Sequence, residues 1–137
     1  MEWTEPGAFQ VSPGVFRIPL PLPNDGLCAV NIYAIESDTE LVLVDGGWAL
    51  EESRKALESA LKTIGRTLSD VTRFLVTHVH ADHYTQAVAV RREFGTRVSL
   101  GIGERPSLEL SVAGLEIRLS PQLRRLRGCG ADRKSVV

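Results

Sequence analysis

The chain has 137 residues, of which 43% are hydrophobic and 24% charged, so we expect one domain of an ordinary soluble globular protein. Sixteen basic and seventeen acidic residues give a net charge of −1, which excludes an overall field that would attract nucleic acid or an anionic membrane. Two cysteines are too few for a disulfide framework, and we recognise neither a signal peptide nor a membrane-spanning apolar run, so we expect a cytoplasmic protein that does not enter a membrane.

The first part of the chain is predicted to form strands. Residues 1–10 show no periodicity and are interpreted as a lead-in to a domain that begins at residue 11. An edge strand is expected over 11–18 and is expected to end at the prolines that follow it. Apolar, β-branched residues then predict strands over 28–35 and 41–44, and the polar turn between them indicates a β-hairpin.

Helices and strands alternate in the middle of the chain. Residues 51–64 have the apolar stripe of an amphipathic helix, and a glycine follows its last residue. The β-branched, apolar residues 71–77 predict a buried strand, 84–94 a second helix and 97–100 a short strand. This order is typical of parallel βαβ units.

All three histidines of the chain lie between positions 78 and 83, together with one aspartate. They fall in the predicted loop between a buried strand and a helix. Because side chains alternate along an extended chain, His78 and His80 point to the same side, where two imidazoles supply half of a tetrahedral zinc site. Asp82 and His83 are then placed to reach a second ion about 3.5–4 Å from the first.

The nitrogen and oxygen donors of this segment suit zinc, and iron or manganese remain alternatives. The competing interpretation is that these residues are polar loop residues that hydrogen-bond to the local backbone. Four ligand-type side chains within six positions after a buried strand favour the metal site.

The pattern His-x-His-x-Asp-His of residues 78–83 resembles the signature of the metallo-β-lactamase fold superfamily of metallohydrolases, and the resemblance covers about residues 11–105. It implies an α/β fold, an αββα sandwich, of which residues 11–131 would form the N-terminal half. It also implies that His78 and His80 bind one metal ion. Asp82 and His83 would bind the other, and histidines and a bridging aspartate from later strands would complete both sites.

The resemblance assigns a role to Asp45, which follows the third predicted strand. An aspartate at this place in the family supports the metal loop by accepting hydrogen bonds from it. Asp45, Gly46 and Gly47 also form a pattern that is typical of a simple turn, and that alternative stays open.

The activity implied by the resemblance is metal-dependent hydrolysis. One or two zinc ions would lower the pKa of a water molecule and polarise the bond under attack, while Asp82 would bind metal and orient the nucleophile. A small-molecule ester, thioester, amide or lactone is the expected substrate class. Nucleic-acid phosphodiester cleavage, which the near-neutral charge does not favour, and a non-catalytic binding module are the alternatives. Tyr84, Thr85 and Gln86 replace glycines of many relatives, so a substrate cannot be carried over, and the oligomeric state is left open.

The last part of the chain does not supply the remaining ligands of the family. After His83 there is no further histidine, and Asp132 is the single aspartate. Residues 101–106 are expected to form a loop, 108–119 either a strand or a helix, and 122–127 a solvated helix face.

Residues 132–137 lack any cap or terminal element, and our hypothesis is that they are an artefact, the translation of sequencing adapter joined to a short DNA fragment. A complete sandwich needs roughly 200 residues or more. We therefore expect this chain to be an inactive fragment that binds zinc weakly.

Overall fold

The structure is a computed structural model, and it describes residues 3–23 and 26–112. The described residues belong to two compact units, one ending at Ile102 and one beginning at Gly103. The first unit contains the sheet, two helices and the histidine segment.

Six strands form one mixed sheet, in which each strand lies beside its neighbour in the sequence. The strands are β1 (Phe9–Ser12), β2 (Val15–Pro21), β3 (Ala29–Glu36), β4 (Leu41–Val44), β5 (Val71–Val76) and β6 (Arg97–Leu100). Pairing is antiparallel from β1 to β4 and parallel from β4 to β6. The predicted hairpin of β3 and β4 and the predicted parallel βαβ units are therefore confirmed.

Two helices connect the parallel strands. Helix α1 (Glu51–Thr63) joins β4 to β5, and α2 (Ala81–Phe94) joins β5 to β6. Leu57, Ala60 and Leu61 of α1 are buried, as the apolar stripe predicts. The two helices are also linked by charge: Arg54 donates to Glu93 through both of its terminal nitrogens, at 2.6 and 3.1 Å. These hydrogen bonds hold the pKa of the Glu93 carboxyl below its ordinary value of 4.5.

The core lies between the helices and one face of the sheet. Alternate strand residues such as Ile32, Leu43 and Phe74 are completely buried there, in one cluster with residues of α1 and α2. The intervening residues lie on the opposite face, because side chains alternate along a strand. On that face Tyr33, Ile35 and Leu75 are 37–40% exposed, although each is a large apolar side chain.

The prediction for the N-terminal strands was partly wrong. The segment 11–18 belongs to two strands, β1 and β2, and Gly14 lies in the turn between them with a φ of +70°. Strand β2 also continues through Pro19 and Pro21 instead of ending before them. Strand β1 pairs with β2 only from Val15 to Arg17, so on the β1 side no strand within residues 3–23 and 26–112 lies beside Pro19 and Pro21. Their lack of an N–H group therefore breaks no strand pairing there.

The start of the second helix also differs from the sequence prediction. Helix α2 begins at Ala81, three residues earlier than predicted, so Asp82 and His83 lie in its first turn. An acidic residue is favourable there, because the first turn exposes backbone N–H groups.

The second unit contains helix α3 (Arg105–Val112), preceded by a 3-10 turn over Ile102–Glu104. The loop predicted for 101–106 was therefore wrong at its end, and proline is well tolerated in a first helical turn. The predictions for residues 113–131 and for the suspected tail 132–137 lie outside the described residues. Among the helices that are described, none is long and apolar enough to cross a lipid bilayer.

Candidate metal centre

The histidine segment lies at the edge of the sheet where β4 and β5 end. Parallel strands have their carboxyl ends at the same edge, so the residues that follow them are neighbours in space. Asp45 follows β4 directly and Thr77 follows β5 directly. The backbone N–H of Asp45 donates to the carbonyl oxygen of Leu75 at 3.0 Å, which extends the pairing one residue beyond β4.

Two glycines allow the start of α2 to pack against the loop after β4. The N–H of Gly46 donates to the carbonyl oxygen of His83 at 2.8 Å, and the N–H of Gln86 donates to the carbonyl oxygen of Gly47 at 3.1 Å. A Cβ atom at position 46 would lie 2.7 Å from the backbone nitrogen of Ala87, and Gly47 has a φ of +86°. The Asp-Gly-Gly sequence is thus the part of the chain that lets the helix and the loop approach each other.

Asp45 is the most extensively hydrogen-bonded side chain of the site. It is 5% exposed and has a φ of +62°, in the left-handed region that aspartate tolerates better than most residues. Its Oδ1 accepts from the backbone N–H of Thr77 at 2.7 Å, and the Thr77 hydroxyl lies 3.0 Å from Oδ1 and 2.9 Å from Oδ2. Oδ2 is also 2.9 Å from Nδ1 of His83.

The three imidazoles are grouped above this carboxylate. The ring centroid of His78 is 4.5 Å from that of His80 and 4.2 Å from that of His83. Nε2 of His83 is 3.4 Å from an oxygen of Asp82, so these two side chains are close enough to share a cation. His80 precedes the first residue of α2 and is exposed to solvent.

The structure therefore brings all five predicted site residues to one edge of the sheet. The roles of His78, His80, Asp82 and His83 as metal ligands and of Asp45 as their support stay predictions. Imidazole nitrogen and carboxylate oxygen are donors that suit zinc. In residues 3–23 and 26–112 no three histidine, cysteine or acidic side chains are arranged as ligands of one ion. His78, His80, Asp82 and His83 would thus supply two ligands to each of two ions, which is half of a four-coordinate zinc site.

Sequence reasoning did not identify Thr77. Its hydroxyl contacts Asp45 and also lies 2.9 Å from Nδ1 of His78. Thr77 is β-branched and is the last residue of the predicted strand 71–77, so the sequence gives it no role other than that of a strand residue. The contact depends on β4 and β5 being parallel neighbours.

Comparison with known proteins identifies the family of the chain. A family model described as the metallo-beta-lactamase superfamily matches residues 25–124. A probable metallo-hydrolase of Bacillus subtilis (strain 168), YqjP, is 34% identical over 67 residues, which are 49% of this chain and 20% of that protein.

Two solved structures are also similar. A metallo-beta-lactamase family protein from Thermus thermophilus superposes with a TM-score of 0.67 and 30% identity, over 80% of this chain and 38% of that one. A beta-lactamase domain protein from Burkholderia ambifaria superposes with a TM-score of 0.60 and 27% identity, over 82% of this chain and 38% of that one. The chain thus spans less than half the length of each of these relatives.

Proposed function

The chain belongs to the metallo-beta-lactamase superfamily, and from this we propose that it is part of a metal-dependent hydrolase that cleaves a small-molecule ester, thioester, amide or lactone. The observation that carries the proposal is the group of three imidazoles and Asp82 around the buried carboxylate of Asp45. Cys28 has a free, exposed thiol, which is usual in the reducing cytoplasm, where we propose that the protein acts.

His78 and His80 would hold one zinc ion, and Asp82 and His83 would hold a second. A bound ion at this position would supply Lewis acidity, which makes a water molecule more acidic and polarises the carbonyl group under attack. Each ion would have two ligands from the described residues, whereas catalytic zinc sites use three protein ligands.

The chain's own residues orient these donors. Nδ1 of His83 lies 2.9 Å from the carboxylate of Asp45, which can only accept, so in the neutral ring Nδ1 would carry the hydrogen and Nε2, on the side where Asp82 lies, the lone pair. Asp82 is in the first turn of α2 and its side chain is 26% exposed, so its carboxylate is open to solvent and would orient an attacking water molecule by accepting a hydrogen bond from it. Asp45 is buried and acts on the loop, not on the substrate.

We propose that residues 1–137 alone do not hydrolyse these substrates. The chain offers four candidate ligands for two ions, and beyond His83 it contains no histidine. A third histidine ligand for either ion would have to come from outside these 137 residues.

The test is to determine the gene's sequence beyond codon 131, to express the longer product and to assay ester, thioester, amide, lactone and phosphodiester probes. We expect hydrolysis by the longer product, loss of activity with a chelator or with His80→Ala, and recovery from the chelator with zinc. Residues 1–137 should show negligible turnover under the same conditions. Activity that survives both the chelator and His80→Ala would refute the proposal, and turnover of the phosphodiester alone would favour the nuclease alternative.

A further inference from the structure

The hydroxyl of Thr77 lies between Asp45 and His78, and the chemistry of a hydroxyl determines the direction of both hydrogen bonds. The oxygen carries one hydrogen and two lone pairs. It lies 2.9 and 3.0 Å from the two oxygens of Asp45, and an ionised carboxylate can only accept, so the hydrogen points to Asp45. Toward Nδ1 of His78, at 2.9 Å, the hydroxyl is left with a lone pair.

The direction of these bonds sets the position of the proton on His78. Because the Thr77 oxygen accepts, Nδ1 of His78 must carry the hydrogen, and Nε2 then carries the lone pair. His83 reaches the same carboxylate directly, through its own Nδ1 at 2.9 Å. The two rings, whose centroids are 4.2 Å apart, are thus connected to one acceptor, one directly and one through a hydroxyl.

We propose that Thr77 is a positioning residue: its hydroxyl donates to Asp45 and accepts from Nδ1–H of His78. One buried carboxylate then holds both His78 and His83 in the Nδ1–H tautomer, His83 by a direct hydrogen bond and His78 through Thr77. Both histidines then present Nε2 as a ligand atom. The consequence for metal binding rests on the proposed function, in which His78 and His83 serve different ions. Thr77 should therefore affect the ion held by His78 and leave His83 unchanged.

The tautomers can be observed without metal, by long-range ¹H–¹⁵N correlation NMR of the ¹⁵N-labelled, metal-free chain, at an alkaline pH at which the spectra show both rings to be neutral. In the wild type we expect Nδ1–H for both His78 and His83. Thr77→Val keeps the shape of the side chain but not the hydroxyl, and should abolish the single Nδ1–H form of His78 while His83 retains it. Thr77→Ser should restore the wild-type spectrum.

The matched control is Thr72→Val on β5, which also removes a hydroxyl hydrogen bond, the one to the carbonyl oxygen of Leu41 at 3.1 Å. It should leave both histidines as in the wild type. An Nε2–H tautomer of His78 in the wild type, or a His78 spectrum that Thr77→Val does not change, would overturn the inference.

Zinc affinity separates this inference from the proposed function. Loss of a residue that orients a metal ligand typically lowers affinity 10- to 100-fold, so Thr77→Val should bind zinc about tenfold or more weakly than the wild type, and Thr77→Ser should not. If the tautomers are as expected but neither the wild-type chain nor the longer product binds zinc, the positioning role stands and the metal-dependent function fails. If the wild type and Thr77→Val bind zinc equally well, the relay through Thr77 is wrong and the proposed function remains.

Discussion

Replacement of Asp45 by asparagine changes one oxygen of the central carboxylate into an NH₂ group and keeps the shape and the tolerance for positive φ. The NH₂ cannot face the backbone N–H of Thr77, because that group can only donate, so the remaining oxygen must take the position of Oδ1. The NH₂ then faces Nδ1 of His83. We expect His83 to respond by moving its proton to Nε2, where Asp82 lies 3.4 Å away as an acceptor.

The effect on stability follows from the three donors that face Asp45, two from Thr77 and one from His83. Hydrogen bonds to charged groups contribute about 1.5–3 kcal/mol and neutral ones about 0.5–1.5 kcal/mol, so each donor loses about 1 kcal/mol. Part of this total of about 3 kcal/mol is offset, because the variant no longer buries a charge. We expect the free energy of unfolding to fall by about 1–3 kcal/mol.

Urea denaturation measures the stability of Asp45→Asn, and long-range ¹H–¹⁵N NMR of the metal-free variant measures the tautomer of His83. The reasoning predicts a folded variant in which His83 carries its proton on Nε2 and zinc affinity is lower, because the lone pair needed by the ion is gone. A folded variant in which His83 keeps its Nδ1 proton and zinc binds as in the wild type would refute it.

Three further predictions concern the rest of the fold. Gly46→Ala should lower the free energy of unfolding, measured by urea titration, by about 1–3 kcal/mol, because the added methyl group meets the backbone of α2. The control is Gly101→Ala, which should have little effect because no heavy atom lies within 4 Å of the new Cβ. The pKa of Glu93 is lowered by its hydrogen bonds with Arg54, so its contribution to stability is present above pH 4.5 and is lost as pH falls through the lowered value. Glu93→Gln should accordingly make the unfolding free energy less dependent on pH between 6 and 3, and an unchanged dependence would contradict this. Leu75 is 40% exposed on the apolar sheet face, so we expect the isolated chain to self-associate in gel filtration and Leu75→Lys to reduce this self-association. A monomeric, cooperatively folding wild type would contradict the expectation.

The sequence was sufficient to predict the positions of helices and strands whose apolar residues recur with the helical or the strand period. Helix α1 and the strands β3 to β6 are where the apolar periodicity predicts them, because packing on one face of each element decides which positions are apolar. Periodicity was less informative for α2, where polar Gln86 is buried and apolar Phe94, the last residue of the helix, is 42% exposed. Its first turn was missed because Asp82 and His83 are ligand-type residues that also suit a loop.

The site was predictable in part, for a physical reason. The histidine segment is local in sequence, so the spacing of its residues predicts that they lie together. Asp45 and Thr77 are 32 positions apart and meet through the pairing of two parallel strands. Asp45 was found because the resemblance to a family pointed to it, and Thr77 was not found because nothing in a single sequence distinguishes it from other threonines at strand ends.

The central claim, that the loop between β5 and α2 is a metal site, is tested most directly by a zinc titration of the metal-free chain. Structural zinc sites with four ligands have a binding free energy of about 10–16 kcal/mol, and two ligands should supply about half of it. This corresponds to a dissociation constant of about 1 µM to about 0.2 mM. We predict zinc binding in this range and its loss when His78, His80 and His83 are replaced together by alanine. Zinc binding that is unchanged by the triple replacement would contradict the account.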